Sequence, residues 1–465
     1  MNLTLNQRLF YGLGGGVNAV KTDFFVFYLG FYYLTVVGLN PLLTGLALFI
    51  ALLIDAITDP LIGGISDRLS TRFGRRHYLM LISLAPIFIS YLLLFLPINI
   101  WFDQQIFLFF WLLCFSTLTR FSVTLFDIPH RALAVELPDS YEDKTKIMSL
   151  REGFQALIAL SHSFLLLPIL YPSLRSNADT SEWFNVGLLG ATMMVIFGIM
   201  SFFGTLKIIP HLQQIDDNKK FKPNKINDIF SDLSFIFKSK TLLIFLFGSL
   251  LIQAGWGLAN SLTFLTQVKF WNLDALQIQK FIYIYFLAVF FSWFVTPKII
   301  KTLDKHHLVI LSLFVVGLFL SIPYLGYLAK IAPEAGSSNL ISYLGFCMFF
   351  TSTFAYVSLM ARESMVPDIV DEISKSSEFR RDGSVSAITS FCAKCMSGLG
   401  QFFSMFILWL IGFPEGGVNP SIEQRELLAF FQGPFIFILF LMPIYIFSKY
   451  PLTRSIHRKL KEQNL

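Results

Sequence analysis

Between Pro41 and Arg68 the chain reads PLLTGLALFIALLIDAITDPLIGGISDR. The apolar run is long enough, at roughly twenty residues of helix, to cross a bilayer core of about 30 Å. Yet it contains two acids, Asp55 and Asp59, one helical turn apart, so both carboxylates project from one face. An ionised side chain at that depth is costly unless it is paired or faces water. An all-apolar helix carrying such a pair reads as a membrane span with a task, not as a buried helix of a water-soluble core.

Similar apolar runs recur along the whole chain. About twelve spans are expected by the twenty-residue criterion, near 9–38, 41–66, 77–99, 104–127, 148–171, 184–206, 241–265, 275–298, 307–329, 339–362, 383–412 and 427–448. Composition agrees: 55% of residues are hydrophobic and 14% charged, where water-soluble domains carry about a quarter charged. The segment Met1 to Leu9 lacks the pattern of a cleavable leader, so the first span is expected to be retained. The net charge of +6 sits mostly in short loops, which argues for topology signals and against nucleic acid. The cysteines Cys114, Cys347, Cys392 and Cys395 all fall in expected spans. The Cys392/Cys395 pair reads as small packing residues, since no second ligand pair with metal spacing accompanies it.

One set of loops holds Arg68, Arg72, Arg75, Arg76, Lys144, Lys146, Lys298, Lys301, Lys305, Lys375, Arg380, Arg381 and the basic tail. The opposite set holds Arg175, Lys269, Lys280, Lys330 and Arg425. By the positive-inside rule both termini and the lysine-bearing central loop are expected in the cytoplasm, in the inner membrane of a cell. Three regions follow: a six-helix half over 1–206, a central loop over 207–240, and a second six-helix half with a short tail over 241–465. Six plus six is the layout of the major facilitator superfamily, in which a polar cavity lies near the midplane between repeats. The Arg-rich loop after span two has a thinner echo after span eight (Pro297, Lys298, Lys301, Lys305).

Inside the spans, ionisable groups are the candidate functional residues. Asp55 and Asp59, with Thr58 beside them, form an oxygen-rich set suited to a hard cation or a shared proton, because two ionised acids so close would repel. A helix cap by Asp59-Pro60 would leave Asp55 unexplained. Span four carries Arg120, Thr124, Asp127 and Arg131, which share one face if the helix continues past Pro129; an internal salt bridge neutralising Asp127 is the alternative role. Span five adds Arg151 and Glu152, and span eleven adds Lys394 among small residues. Asp23 in span one lies two positions from Lys21, so the two point apart, and Asp23 is a candidate for a cavity wall. His162 reads as a hydrogen-bonded packing residue. In span seven Gln253, Trp256 and Asn260 align on one face, as a cavity wall would or as interhelical hydrogen bonding would.

Four stretches together resemble the glycoside–pentoside–hexuronide:cation symporter family: Tyr32-Tyr33 with Val36-Val37-Gly38-Leu39; Asp55 through Gly63 with Ser66-Asp67-Arg68 and Thr71 to Arg76; Asp127-Ile128-Pro129-His130-Arg131-Ala132-Leu133 with Glu136-Leu137; and Asp368-Ile369-Val370-Asp371, Arg380-Arg381-x-Gly383, Lys394 and Gly398-x-Gly400. They span both halves. The resemblance implies a cation site, for Na⁺ or H⁺, at Asp55, Asp59, Thr58 (an Asn in the family's pattern) and Thr124. It implies substrate positions at Asp127, Arg151 and Lys394. Two departures stand out. The family's Lys-Asp pair on span one is Asn18-Ala19 here, and its stacking Trp after the Asp-Ile-Pro motif is Arg131.

That exchange removes an acid and an aromatic platform and leaves Arg120, Arg131, Arg151 and Lys394. A small anionic glycoside-like solute, such as a uronide, is the resulting expectation. The expected function is cation-coupled symport by alternating access, working as a monomer among membrane lipids with no further cofactor. A lysolipid or other amphiphile transporter of the same fold, or a non-transporting membrane sensor, is the alternative. No H-E-x-x-H, G-x-S-x-G or paired Cys/His set points to an enzyme.

Overall fold

The structure is a computed structural model, and it describes residues 4–69, 71, 73–98, 103–136, 141–176, 181–206, 239–334, 337–375 and 382–452. Most of the central loop and the basic tail lie outside the described residues, as do Arg72, Arg380 and Arg381. The side chains of Asp67, Arg68, Arg75, Lys144, Arg175, Asp371, Lys375 and Cys392 are likewise outside them.

Every described segment long enough to cross a membrane is helical, as the absence of water in a bilayer requires of a backbone that must satisfy its own polar groups. Helices α1 (Leu5–Leu13), α2 (Gly15–Phe27) and α3 (Leu29–Phe31) together form the first span. Then follow α4 (Pro41–Arg68), α5 (Gly74–Leu94), α6 (Gln105–Glu136), α7 (Tyr141–Ser176) and α8 (Ser181–Thr205). The second set is α9 (Lys240–Leu265), α10 (Ala275–Ile300), α11 (Lys305–Leu328), α12 (Ser338–Lys375), α13 (Asp382–Leu410), and α14 (Ile422–Phe430) continuing into α15 (Ile436–Phe447). Eleven described helices are long and apolar enough to cross, and the bent pair Leu5–Phe27 and Leu29–Val37 makes twelve if taken as one span.

Several limits differ from the expectation. The first span is not one rod: it bends by 46° and finishes in a π-helical turn over Tyr32–Val37. Gly38, at φ 78°, ends that turn in the left-handed region open to glycine. Helix α6 runs past the expected limit at 127 to Glu136, with Pro129 inside it. Helix α12 similarly outruns its apolar stretch, to Lys375. Hydropathy marks where a helix is apolar, whereas these two continue as polar turns. Lys269 is buried in a π-helical turn, Thr266–Phe270, instead of lying in a loop.

Contacts divide the chain into two compact units. One comprises Met1–Lys222 with the short stretches Asp274–Leu276 and Pro414–Asn419; the other comprises Pro223–Leu273, Gln277–Phe413 and Pro420–Leu465. Within the first unit α1 and α2 pack on α7 and α8, and α5 packs on α6 and α8. Within the second, α9 packs on α13 and α15, and α11 packs on α12 and α15. Each unit thus repeats one order of neighbours, first span on fifth and sixth, third on fourth and sixth. The echo seen in the loops has a counterpart in the charges. Arg76 at the start of α5 donates to Ser66 Oγ at the end of α4 (2.7 Å), while Lys305 at the start of α11 holds Asp368 of α12 (2.6 Å) and the Ser364 carbonyl (2.6 Å).

The pair α9 and α13 touches backbone to backbone. A Cβ on Gly400 would lie 2.1 Å from the Ala254 carbonyl oxygen, and one on Gly257 would lie 2.2 Å from that of Ser397. Small residues permit such an approach, and close packing is a main source of helix association in lipid.

Candidate cation and solute site

Helix α4 runs unbroken through Pro60, so Asp59 is an interior residue and not a cap. Pro60 has no N–H, which removes the helical bond to the Ala56 carbonyl just before Asp59. Thr58 donates its hydroxyl to the Asp55 carbonyl (3.1 Å), leaving only its oxygen lone pairs for any other partner. Across from α4 lies Thr124 of α6, whose Oγ1 is 3.0 Å from both Asp55 Oδ1 and Asp59 Oδ1. Asp55 and Thr124 are buried, and Asp59 is half-buried.

The geometry limits the chemistry. A hydroxyl has one proton and can donate to one carboxylate at a time. The second contact of the same length sets oxygen lone pairs against each other unless a proton or a cation lies between them. Asp55, Asp59 and Thr124 therefore form a cluster of hard oxygens, the donor type that hard cations take.

Arg120, expected among the solute-binding residues, sits on this cradle instead. Its Nη1 is 3.8 Å from Asp55 Oδ2, both side chains being almost wholly buried. The guanidinium also feels the charge of Asp59, and it lies over the Phe25 ring at 4.6 Å from the centroid.

The continuation of α6 past Pro129 brings Asp127 and Arg131 onto the same face, one turn apart. Arg131 Nε donates to Asp127 Oδ2 (2.8 Å), and Arg151 Nη2 of α7 donates to Asp127 Oδ1 (2.5 Å). Both carboxylate oxygens are thereby engaged. Arg151 is fully buried, and each of its three guanidinium nitrogens has a partner: Nη1 donates to Glu152 Oε1 (2.5 Å) and Nε faces His130 Nδ1 at 3.4 Å. His130 Nε2 donates to the Tyr11 carbonyl (2.9 Å), and the Tyr11 hydroxyl returns a bond to the His130 carbonyl (3.0 Å). One neutral tautomer, protonated at Nε2, meets both contacts of the ring. The rings of Tyr11 and His130 stack at 4.3 Å.

Arg131 differs from Arg151 in exposure: its side chain is 47% exposed against 1%. Only its Nε is held by Asp127, so the far edge of the guanidinium faces outward. Lys21, buried on α2, also acts electrostatically on Asp127. Two acids, Asp127 and Glu152, thus interact with three bases, Lys21, Arg131 and Arg151, and Asp59 also acts on Arg131.

Asp23 is placed elsewhere. Its carboxylate accepts from His162 Nδ1 (2.8 Å) and from Ser163 Oγ (2.9 and 3.1 Å) on α7, with the Tyr28 hydroxyl 3.0 Å from Ser163 Oγ. It serves the seam between α2 and α7, and His162 has the hydrogen-bonded packing role expected of it. In the second unit Gln253, Trp256 and Asn260 are half-buried on α9, with Trp256 packed near Phe440 (5.8 Å). Lys394 is half-buried on α13, one turn before the contact of Ser397 with Gly257. Tyr11 carries no special signal in the sequence, and Lys21 and His130 appear there only beside Asp23 and within the Asp-Ile-Pro motif; their link to Asp127 and Arg151 comes from packing.

A family model described as MFS/sugar transport protein matches residues 10–454. The chain belongs to this family. Its relatives include an uncharacterised symporter of Synechocystis sp., 24% identical over 99% of this chain and 96% of that one. An isoprimeverose transporter of Lactiplantibacillus pentosus is 22% identical over 87% of this chain and 80% of its own. Among solved structures, the inward-open xylose transporter of E. coli superposes with a TM-score of 0.61 at 14% identity, covering 98% of each chain. That likeness is one of fold: the family member has the twelve-helix major facilitator architecture.

Proposed function

We propose that this family member is a secondary transporter that couples a monovalent cation, Na⁺ or H⁺, to symport of a small anionic glycoside-like solute. The cation part rests on the shared Thr124 contact to Asp55 and Asp59 and on membership of a family with named symporters. The observation that carries the solute part is Arg131, whose guanidinium is fixed at one edge by Asp127 and open at the other. The free N–H edge of a planar guanidinium matches a carboxylate bidentately, which a stacking aromatic at that position would not do.

In this reading the cation binds at Asp55, Asp59 and Thr124 and neutralises the α4–α6 seam. The solute carboxylate then meets Arg131, while Asp127 and Arg151 hold that arginine in place. Asp23 braces α2 against α7, so the missing span-one acid has no substitute there. Within the second unit, Gln253, Trp256, Asn260 and Lys394 are further candidate solute contacts. The cycle is alternating access. Both termini are cytoplasmic and the protein acts as a monomer in the inner membrane. Proteoliposome uptake of a neutral glycoside against its uronide, under an imposed Na⁺ or proton gradient, tests this. Accumulation of the uronide in preference is the expected result, and preference for the neutral compound overturns the anionic assignment.

A further inference from the structure

We infer that the first turn of α11 carries a binding site for one divalent transition ion of borderline softness, Zn²⁺ above all, with Asp304, His306 and His307 as its ligands.

The local sequence is Asp304-Lys305-His306-His307, and Asp304 is the N-cap of α11. An Asp at that position ordinarily accepts a hydrogen bond from a backbone N–H two or three residues on. The Asp304 side chain makes no such cap bond. Instead one oxygen of its carboxylate and one nitrogen of each imidazole converge, all within 4.8 Å of one another. Neighbouring positions on a helix usually point apart, yet the rings of His306 and His307 lie 4.0 Å from each other. Lys305, the basic residue of the same turn, is directed to α12, where it holds Asp368 and the Ser364 carbonyl. Its ammonium is thereby committed to an acid outside the cluster. All of these residues belong to the second unit.

His306 decides the reading. It is only 4% exposed and packs beside the Tyr450 ring at 5.7 Å. Among the described residues no hydrogen bond holds its imidazole or that of His307. A buried polar group without a partner is costly, and native structures rarely leave one so. An ion held between the three donors gives His306 its partner. His307 is exposed and provides the open side through which the ion enters.

The donor set selects the class of ion. Imidazole nitrogen with one carboxylate oxygen suits zinc and its transition-metal neighbours, whereas Mg²⁺ and Ca²⁺ take oxygen throughout. Tetrahedral zinc with bonds of about 2.0–2.1 Å places its ligands roughly 3.3 Å apart. Rotation of the exposed His307 and half-buried Asp304 side chains closes the difference. Asp304 needs to give one oxygen, so its second stays available to any other neighbour. The positive end of the helix dipole opposes a cation here, and the Asp304 carboxylate at that same end counters it. An ion so bound ties the N-cap to the first turn of α11, which in turn holds α12 through Lys305 and packs on Tyr450.

Equilibrium dialysis of the purified, tag-free protein in detergent, stripped with a chelator and then exposed to Zn²⁺, tests the inference on wild type, H307A, D304N and H307C. Wild type is expected to bind one Zn²⁺ per chain. H307A should bind it at least about tenfold more weakly, since even the outer partners of metal ligands contribute tenfold to a hundredfold. D304N should weaken binding as well, and H307C should restore it, because a thiolate is also a zinc ligand. A rise in thermal midpoint with Zn²⁺ that H307A lacks is the expected second readout. A loss of packing alone would not be rescued by cysteine. Wild type that binds no Zn²⁺ overturns the inference. So does H307A that keeps wild-type affinity, which would place the ion elsewhere, on the cysteines for example. Equal competition by Mg²⁺ overturns the class of ion. Should H307A aggregate on gel filtration, H307N carries the same expectation.

Discussion

The hydroxyl of Thr124 on α6 lies 3.0 Å from Asp59 Oδ1 on α4, and the same oxygen lies 3.0 Å from Asp55 Oδ1. One side chain thus joins two helices through two acids that would otherwise repel. A bridge of that kind is held by whatever positive charge sits between the acids.

Replacing Thr124 with Val keeps the shape and removes the shared oxygen. Leaving buried carboxylates without their donor costs about 1–3 kcal/mol, so cation affinity is expected to fall roughly tenfold or more. Cation-driven accumulation should fall with it, while solute exchange without a gradient persists. Dose–response curves for the cation in proteoliposome uptake check this, and an unchanged half-saturating concentration would count against the bridge.

Arg131→Gln removes the exposed guanidinium on Asp127 while Arg151 still holds that acid. A charge-assisted hydrogen bond contributes about 1.5–3 kcal/mol, so affinity for an anionic solute should drop about tenfold to a hundredfold. Cation binding should be preserved. Direct binding of a uronide to the purified variant is the measurement; equal loss for a neutral glycoside would point to packing instead of charge.

Arg151→Met acts on stability first. The guanidinium is buried between Asp127, Glu152 and His130, and removing one partner of a buried pair costs about 3–5 kcal/mol. The thermal midpoint in detergent should fall clearly. Adding Asp127→Asn in the same chain should recover part of the loss, because it removes the stranded charge. No recovery in the double variant would mean that the pair is not what the midpoint reports.

Gly400→Ala places a methyl group 2.1 Å from the Ala254 carbonyl, which no rotamer can relieve. The helices must separate, and overpacking of this kind costs about 1–3 kcal/mol. Lower thermal stability with an intact Arg131–Asp127 region is expected. Uptake should fall in proportion to the folded fraction, and a wild-type midpoint would show that α9 and α13 are less tightly apposed.

The membrane class was legible from apolar runs alone, because lipid leaves a backbone few alternatives. The pairing of Asp55 with Asp59 was legible too, since one-turn spacing on a helix is a local property. Less visible was anything decided between helices. Arg120 read as a solute ligand because it shares a face with Asp127, and only packing shows that it reaches Asp55 first. Asp23 and Lys21 sit two positions apart on α2, and their directions separate them: one braces α7, the other acts on Asp127. The bend and π-helical turn of the first span have no apolar signature, so a single straight span was the natural expectation.

Where Gly257 and Gly400 let α9 and α13 touch main chain to main chain, there is no layer of side chains to act as a lubricant. Two such rods cannot glide past one another in small steps, so they travel as one piece. Lys394 on the one and the Gln253, Trp256 and Asn260 stripe on the other are therefore held in one register by main-chain contact. The spacing of the two helices is determined by two missing methyl groups.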